Sequence, residues 1–160
     1  MLDFLILSVL IGAGATAFLD LWNLLLNRLF RLPLPPWHLV GRWFAGLGRG
    51  QLKHRQGIAE SPEVPGELAI GWLGHYLVGA LFAAIVLVIW GVEWAAAPTF
   101  LPALIVGLVT VGAGWFILQP GMGVGVACSG AARPWLARVL NVAGHVVFAI
   151  GLYVTAVVIG

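Results

Sequence analysis

The chain has 160 residues, of which 61% are apolar and 9% charged, and its formal net charge is +2. A soluble domain usually has about 25% charged residues. This composition therefore excludes a water-soluble surface and predicts an integral membrane protein of a single domain, residues 1–160. Cys128 is the one cysteine, so an intrachain disulfide is also excluded.

Four stretches are long and apolar enough to cross a bilayer, which takes about 20 helical residues. The N-terminal stretch begins with Asp3 and no basic residue, so we interpret it as a retained helix rather than a secretory signal. Pro98 and Pro102 suit the first turn of the third helix, and Pro120 is expected to end it. The predicted spans are residues 4–26, 68–90, 100–118 and 137–159. The predicted fold is all-α, a transmembrane four-helix bundle.

The loop of residues 27–66 is predicted to contain a short interfacial amphipathic helix. Its apolar residues recur at helical spacing, at Val40, Trp43, Phe44 and Leu47. Its basic residues lie off that stripe, at Arg42, Arg49 and Lys53. Such a helix suits the headgroup region of a bilayer, where basic side chains favour anionic lipid. The basic run is too short to indicate nucleic acid. His38 and His54 are expected to be solvated or to face headgroups.

The basic residues predict the orientation of the spans. Every Lys and Arg lies between the first two spans, or between and just inside the last two. The opposite side has Asp3 and Glu93 and no basic residue. By the positive-inside rule, both basic loops are cytoplasmic and both termini lie outside.

Polar residues recur on one face of three spans. These stripes are Thr16, Asp20, Asn23 and Asn27; Glu67, Gly71 and His75; and Arg138, Asn141 and His145. At 1.5 Å per residue, Asp20, His75 and His145 all lie about 10 to 12 Å from the cytoplasmic ends, so they share a layer. Ionisable groups within a span usually face the protein interior. Because the outer halves are apolar apart from Tyr153, we predict a polar cavity open only to the cytoplasm.

This cavity is predicted to bind a cofactor or a small ligand. The candidate binding residues are Asp20, Asn23, Glu67, His75, Arg138, Asn141 and His145. Imidazole suits haem iron, zinc and copper, so His75 and His145 are candidate ligands of a b-type haem or a metal ion. Asp20 would orient one imidazole, and Arg138 would meet a haem propionate. Gly71 and Gly79, one turn to either side of His75, would let another helix or a flat ligand approach.

Three alternatives stay open. A proton- or ion-coupled small-solute transporter would use Asp and His as relay residues. A structural subunit of a membrane complex would use them for interhelical hydrogen bonds, which average about 0.6 kcal/mol. An enzyme acting on lipid has little support, since the sequence lacks GxSxG, HExxH and an evident nucleophile. Small residues such as Gly12 and Thr16 would also allow a homodimer.

Several separated blocks carry a resemblance to a known family. They include "FLDLWNLLLNRLF", "GRWFAGLGRGQLKHRQGIAESPEVPGELAIGWLGHYLVG", "LPALIVGLVTVGAGWFILQPGMGVG" and "GHVVFAIGLY". Together they resemble small bacterial inner-membrane proteins catalogued only as a domain of unknown function. The resemblance implies four spans in the bacterial inner membrane, with both termini then periplasmic. It implies no activity.

Overall fold

A computed structural model describes all 160 residues, which form helices and no strands. The five helices are α1 (Leu2–Phe30), α2 (Trp37–Leu47), α3 (Glu67–Trp90), α4 (Phe100–Gly121) and α5 (Pro134–Ile159). All except α2 are long and apolar enough to cross a membrane. The prediction of an all-α fold with four spans and one short loop helix is confirmed.

The outward faces of the long helices are apolar. Val88, Val109 and Val158 are 71%, 72% and 77% exposed. Soluble monomers rarely expose large contiguous apolar surfaces, whereas lipid tails solvate such side chains. The exposed surface therefore agrees with a membrane protein.

Internal contacts divide the chain into two compact units. The core unit consists of residues 1–34, 75–110 and 142–160, and the loop unit consists of residues 35–74 and 111–141. Helices α3, α4 and α5 contribute residues to both units. The predicted single domain stays a prediction.

Small residues let the helices of the core unit approach closely. A Cβ at Gly79 of α3 would overlap Thr16 Oγ1 of α1, and one at Gly151 of α5 would overlap the backbone of Ala15. The predicted role of Gly79 as a point of helix approach is confirmed. The buried apolar side chains of this unit include Ile11, Ala83, Val86, Trp94, Ala103, Val106, Phe148 and Leu152.

In the loop unit, α2 packs on the first turns of α3. A Cβ at Gly71 would overlap the carbonyl oxygen of Trp37, and one at Gly41 would overlap that of Glu67. Gly71 thus admits a helix, as predicted, and that helix is α2. The buried apolar side chains of this unit include Val40, Trp43, Ile58 and Met122.

Backbone hydrogen bonds join the loop that follows α2 to the end of α4. The N–H of His54 donates to the oxygen of Gly121 at 2.8 Å, and that of Ile58 donates to the oxygen of Met122 at 2.9 Å. The loop between the first two spans and the loop between the last two therefore lie next to each other. A chain that crosses a membrane four times in succession has these two loops on the same side of it.

The third span ends at Gly121, so the expectation that Pro120 ends it holds to within one residue. Residues Gly114–Leu118 form a π-helix directly before it. Proline lacks an N–H, and its ring meets the carbonyl four residues earlier in a regular α-helix. That position falls in the π segment, where the i→i+5 pattern replaces the regular one. Local widening accommodates the proline in the last turn of the helix.

Candidate functional site

An aspartate and a histidine from adjacent helices are in contact within the core unit. His75 Nε2 lies 3.0 Å from Asp20 Oδ1, and the two side chains are 11% and 22% exposed. The contact follows from helix register, since Thr16 of α1 packs against Gly79 of α3 and Asp20 and His75 each lie one turn away. The predicted proximity of Asp20 and His75 is confirmed.

Tyr76 completes this group, which we call the Asp20 site (Asp20, His75 and Tyr76). The Tyr76 hydroxyl donates to Asp20 Oδ2 at 3.1 Å, so both carboxylate oxygens accept a hydrogen bond. The rings of His75 and Tyr76 meet edge to face with centroids 5.6 Å apart. Sequence periodicity missed Tyr76, because it follows His75 directly and so falls off the stripe of three- and four-residue steps. A phenol next to an ionisable residue within a span was the available signal.

The hydrogen bond to Asp20 fixes the role of one nitrogen of His75. An ionised carboxylate only accepts hydrogen bonds, so Nε2 carries a hydrogen and donates it. A carboxylate, an imidazole and a phenol therefore meet in one group within the candidate spans.

His145 is bound to α4. Its Nδ1 lies 3.0 Å from the oxygen of Gly107 and 3.2 Å from Thr110 Oγ1. Because a carbonyl oxygen only accepts, Nδ1 donates and Nε2 holds the lone pair. Metal-bound histidines often donate to a carbonyl in this way. The chain, however, has no group of three or more His, Cys, Asp or Glu side chains placed to hold a metal ion.

Glu67 binds Arg42 of α2 in the loop unit. Arg42 donates from Nε to Oε2 at 2.8 Å and from Nη2 to Oε1 at 2.9 Å. The hydrogen bond to Glu67 raises the pKa of the Arg42 guanidinium above its usual value, against the opposing effect of burial. Glu67 thus neutralises a buried cation.

Two expectations for the loop are corrected. Arg42 is 5% exposed and does not face lipid headgroups, because Glu67 compensates its burial. His54 is also 5% exposed, and its Nδ1 lies 2.7 Å from Ser61 Oγ. His38, Arg49 and Lys53 are exposed, as expected.

Asn141 and Arg138 hold the segment between α4 and α5. Asn141 Oδ1 accepts hydrogen bonds from Trp115 Nε1 and Gln119 Nε2, each at 3.0 Å. Arg138 Nε donates at 2.8 Å to the oxygen of Ala127, whose φ of 47° is unusual for a residue with a side chain. These contacts support a strained backbone.

The structure thus brings two of the seven predicted site residues into mutual contact, Asp20 and His75. The hydrogen bonds of His145, Glu67, Asn141 and Arg138 go to other groups, and Asn23 is half-buried on α1. Whether the seven bind a ligand stays a prediction.

Residues 9–159 match a family described as "Protein of unknown function (DUF2938)". The chain belongs to this family. The resemblance noted from the sequence is therefore confirmed, and the four apolar helices fit it. No match was found among curated proteins or among solved structures. The description of the DUF2938 family assigns no activity, so a functional proposal depends on the residues of this chain.

Proposed function

We propose that the Asp20 site binds and releases a proton during the passage of a small solute across the bacterial inner membrane. The observation that carries this proposal is the contact between His75 Nε2 and Asp20 Oδ1, with Tyr76 on the second carboxylate oxygen. Carboxylate and imidazole groups within spans are the usual components of proton relays.

Energetics favour a functional role over a structural one. An aspartate near mid-depth costs about 2.5 to 3.5 kcal/mol on insertion scales. Interhelical hydrogen bonds return about 0.6 kcal/mol each on average. The two hydrogen bonds to Asp20 do not offset that cost, so packing alone is a poor explanation for this carboxylate.

The site changes its net charge when His75 changes its protonation state. With His75 protonated, imidazolium and carboxylate form a neutral pair. With His75 neutral, the carboxylate leaves a net negative charge, which attracts a proton or a cation strongly in a low-dielectric environment. Protonation thereby alters what the site can hold, which is the property that coupled transport needs.

Ligation of a b-type haem or a metal by His75 and His145 has less support. The two imidazoles bind different partners, Asp20 of α1 and the Gly107 carbonyl of α4, and no group of three or more His, Cys, Asp or Glu side chains is placed to hold a metal ion. We propose that the basic loops lie in the cytoplasm and both termini in the periplasm. Every Lys and Arg lies between the first two spans, or between and just inside the last two, and the positive-inside rule assigns those regions to the cytoplasm.

Proteoliposomes that enclose the pH-sensitive dye pyranine test the proposal. Amino acids, carboxylates, amines and sugars are added outside one at a time, and the internal pH is followed. We expect one solute class to drive proton movement with the natural chain and none with Asp20→Asn. Asp3→Asn is the matched control, because it makes the same change at an exposed terminal position. Proton movement that is absent for every solute, or equal in Asp20→Asn, would contradict the proposal.

A further inference from the structure

A polar cavity of about 310 Å³ lies in the loop unit and is lined by residues that follow α2 in the chain. Its lining includes Gln51, Lys53, His54, Arg55, Glu60 and Ser61. None of these residues belongs to the Asp20 site, so an inference from this cavity does not depend on the proposed transport. The volume is near the lower limit of known small-molecule sites, about 300 Å³.

Hydrogen bonds hold two residues of the lining, His54 and Ser61, in place. His54 packs its ring against Gly46 of α2, and its Nδ1 lies 2.7 Å from Ser61 Oγ. The backbone carbonyl oxygen of Ser61 accepts a hydrogen bond from Arg42 Nη1 at 2.7 Å, and Arg42 is bound to Glu67. The positions of His54 and Ser61 are therefore fixed in the absence of a ligand.

Two side chains of the lining converge on one nitrogen of His54. Nδ1 lies 2.7 Å from Ser61 Oγ and 3.4 Å from Gln51 Nε2, whereas the buried Nε2 has no hydrogen-bond partner. Ser61 and Gln51 therefore both contribute polar groups to the lining of the cavity.

The rim of the cavity supplies positive charge. Lys53 and Arg55 are exposed, and neither forms an ion pair, although Glu60 also lines the cavity. The planar guanidinium of arginine and the ammonium of lysine both bind phosphate oxygens through charge-assisted hydrogen bonds. Two cations outweigh the single carboxylate.

We infer that this cavity binds the phosphate group of an anionic ligand, with Lys53 and Arg55 as its cationic contacts. Two sources share this chemistry, a lipid headgroup and a soluble phosphate. The Trp37–Trp72 ring pair, with centroids 5.4 Å apart in the same unit, is of the kind found at headgroup depth.

The test uses the full chain purified in a neutral detergent. One arm measures retention of short-chain phosphatidylglycerol by native mass spectrometry, with phosphatidylcholine as the zwitterionic comparison. The other arm measures binding of inorganic phosphate by calorimetry. The cavity variants are Lys53→Gln and Arg55→Gln. Arg49→Gln is the matched control, since it removes an exposed cation of the same loop that does not line the cavity.

We expect Lys53→Gln and Arg55→Gln each to weaken binding by about fivefold, and Arg49→Gln by less than about twofold. Binding of phosphatidylglycerol alone supports the inference and identifies a lipid headgroup as the ligand. Binding of inorganic phosphate supports it and identifies a soluble source. Absence of both, or an equal loss in Arg49→Gln and Arg55→Gln, would overturn it. All three side chains are exposed, so misfolding does not confound the comparison.

Discussion

Arg42 and Glu67 form a two-point ion pair across 25 positions of the chain, with donor–acceptor distances of 2.8 and 2.9 Å. The pair joins α2 to the first turn of α3. Arg42 Nη1 also donates to the oxygen of Ser61, so the same guanidinium holds the loop that follows. One buried cation therefore organises the loop unit.

Removing one partner of this pair should lower thermal stability by several degrees. Glu67→Gln leaves the buried Arg42 guanidinium without its counter-charge, which is costly in a dehydrated environment. Glu63→Gln is the matched control, because Glu63 lies 3.9 Å from Arg42 but is 90% exposed. The measurement is the midpoint of thermal unfolding in detergent. Equal midpoints for the two variants would show that Glu67 does not hold Arg42.

Gly79→Ala should destabilise the core unit by about 1 to 3 kcal/mol, as overpacking does elsewhere. The added methyl group would overlap Thr16 Oγ1. Gly114→Ala is the control, because a Cβ there meets no atom within 4 Å. Combining Gly79→Ala with Thr16→Ala should recover part of the loss. Reversible unfolding in mixed micelles gives the free energies, and a Gly79→Ala variant as stable as Gly114→Ala would rule out the close approach.

Much of the fold could be predicted because single-helix properties determine it. Length and hydropathy predicted four spans, and three-to-four-residue spacing predicted α2. The π segment before Pro120 was not predictable from the sequence, since it depends on how the helix backbone adjusts to the N–H group that proline lacks. The burial of Arg42 was not predictable either, because its partner Glu67 is distant in sequence.

The candidate site was predictable only where two helix faces meet at one depth. Counting residues from the loop end of each span, which is predicted to be cytoplasmic, correctly brought Asp20 opposite His75. The same count cannot give the rotation of a helix about its axis, so it did not reveal that His145 would bind α4. The partners of Asn141 include Gln119 at the end of α4 and Cys128 of the following loop, which periodicity does not describe.

Asn141→Ala should loosen the segment between α4 and α5. The substitution removes the acceptor of Trp115 Nε1 and one of the two acceptors of Gln119 Nε2, and a buried donor left unsatisfied costs about 1 to 3 kcal/mol. Cys128 is 3% exposed, so its alkylation by a maleimide reports the opening of this segment. We expect labelling at least about fivefold faster than in the natural chain. Asn23→Ala, the same change on α1, should leave the rate unchanged, and an unchanged rate in Asn141→Ala would count against the network.

Tyr76→Phe should reduce solute-driven proton movement by about threefold without unfolding the protein. The variant removes one of the two hydrogen bonds to Asp20, and an interhelical hydrogen bond is worth about 0.6 kcal/mol on average. Tyr153→Phe is the control, because its ring packs edge-on against Phe100 in the same unit. The pyranine assay gives both rates, and equal rates would remove Tyr76 from the proposed site.

The most direct test of the Asp20 site is nitrogen NMR of the ring of His75 in lipid nanodiscs. The signals are assigned by their loss in His75→Gln. The account predicts that Nε2 of His75 carries a proton in the natural chain, because Asp20 accepts it. In Asp20→Asn this preference for a proton on Nε2 should disappear, and in Asp3→Asn it should remain. A natural chain in which Nε2 of His75 carries no proton would contradict the account.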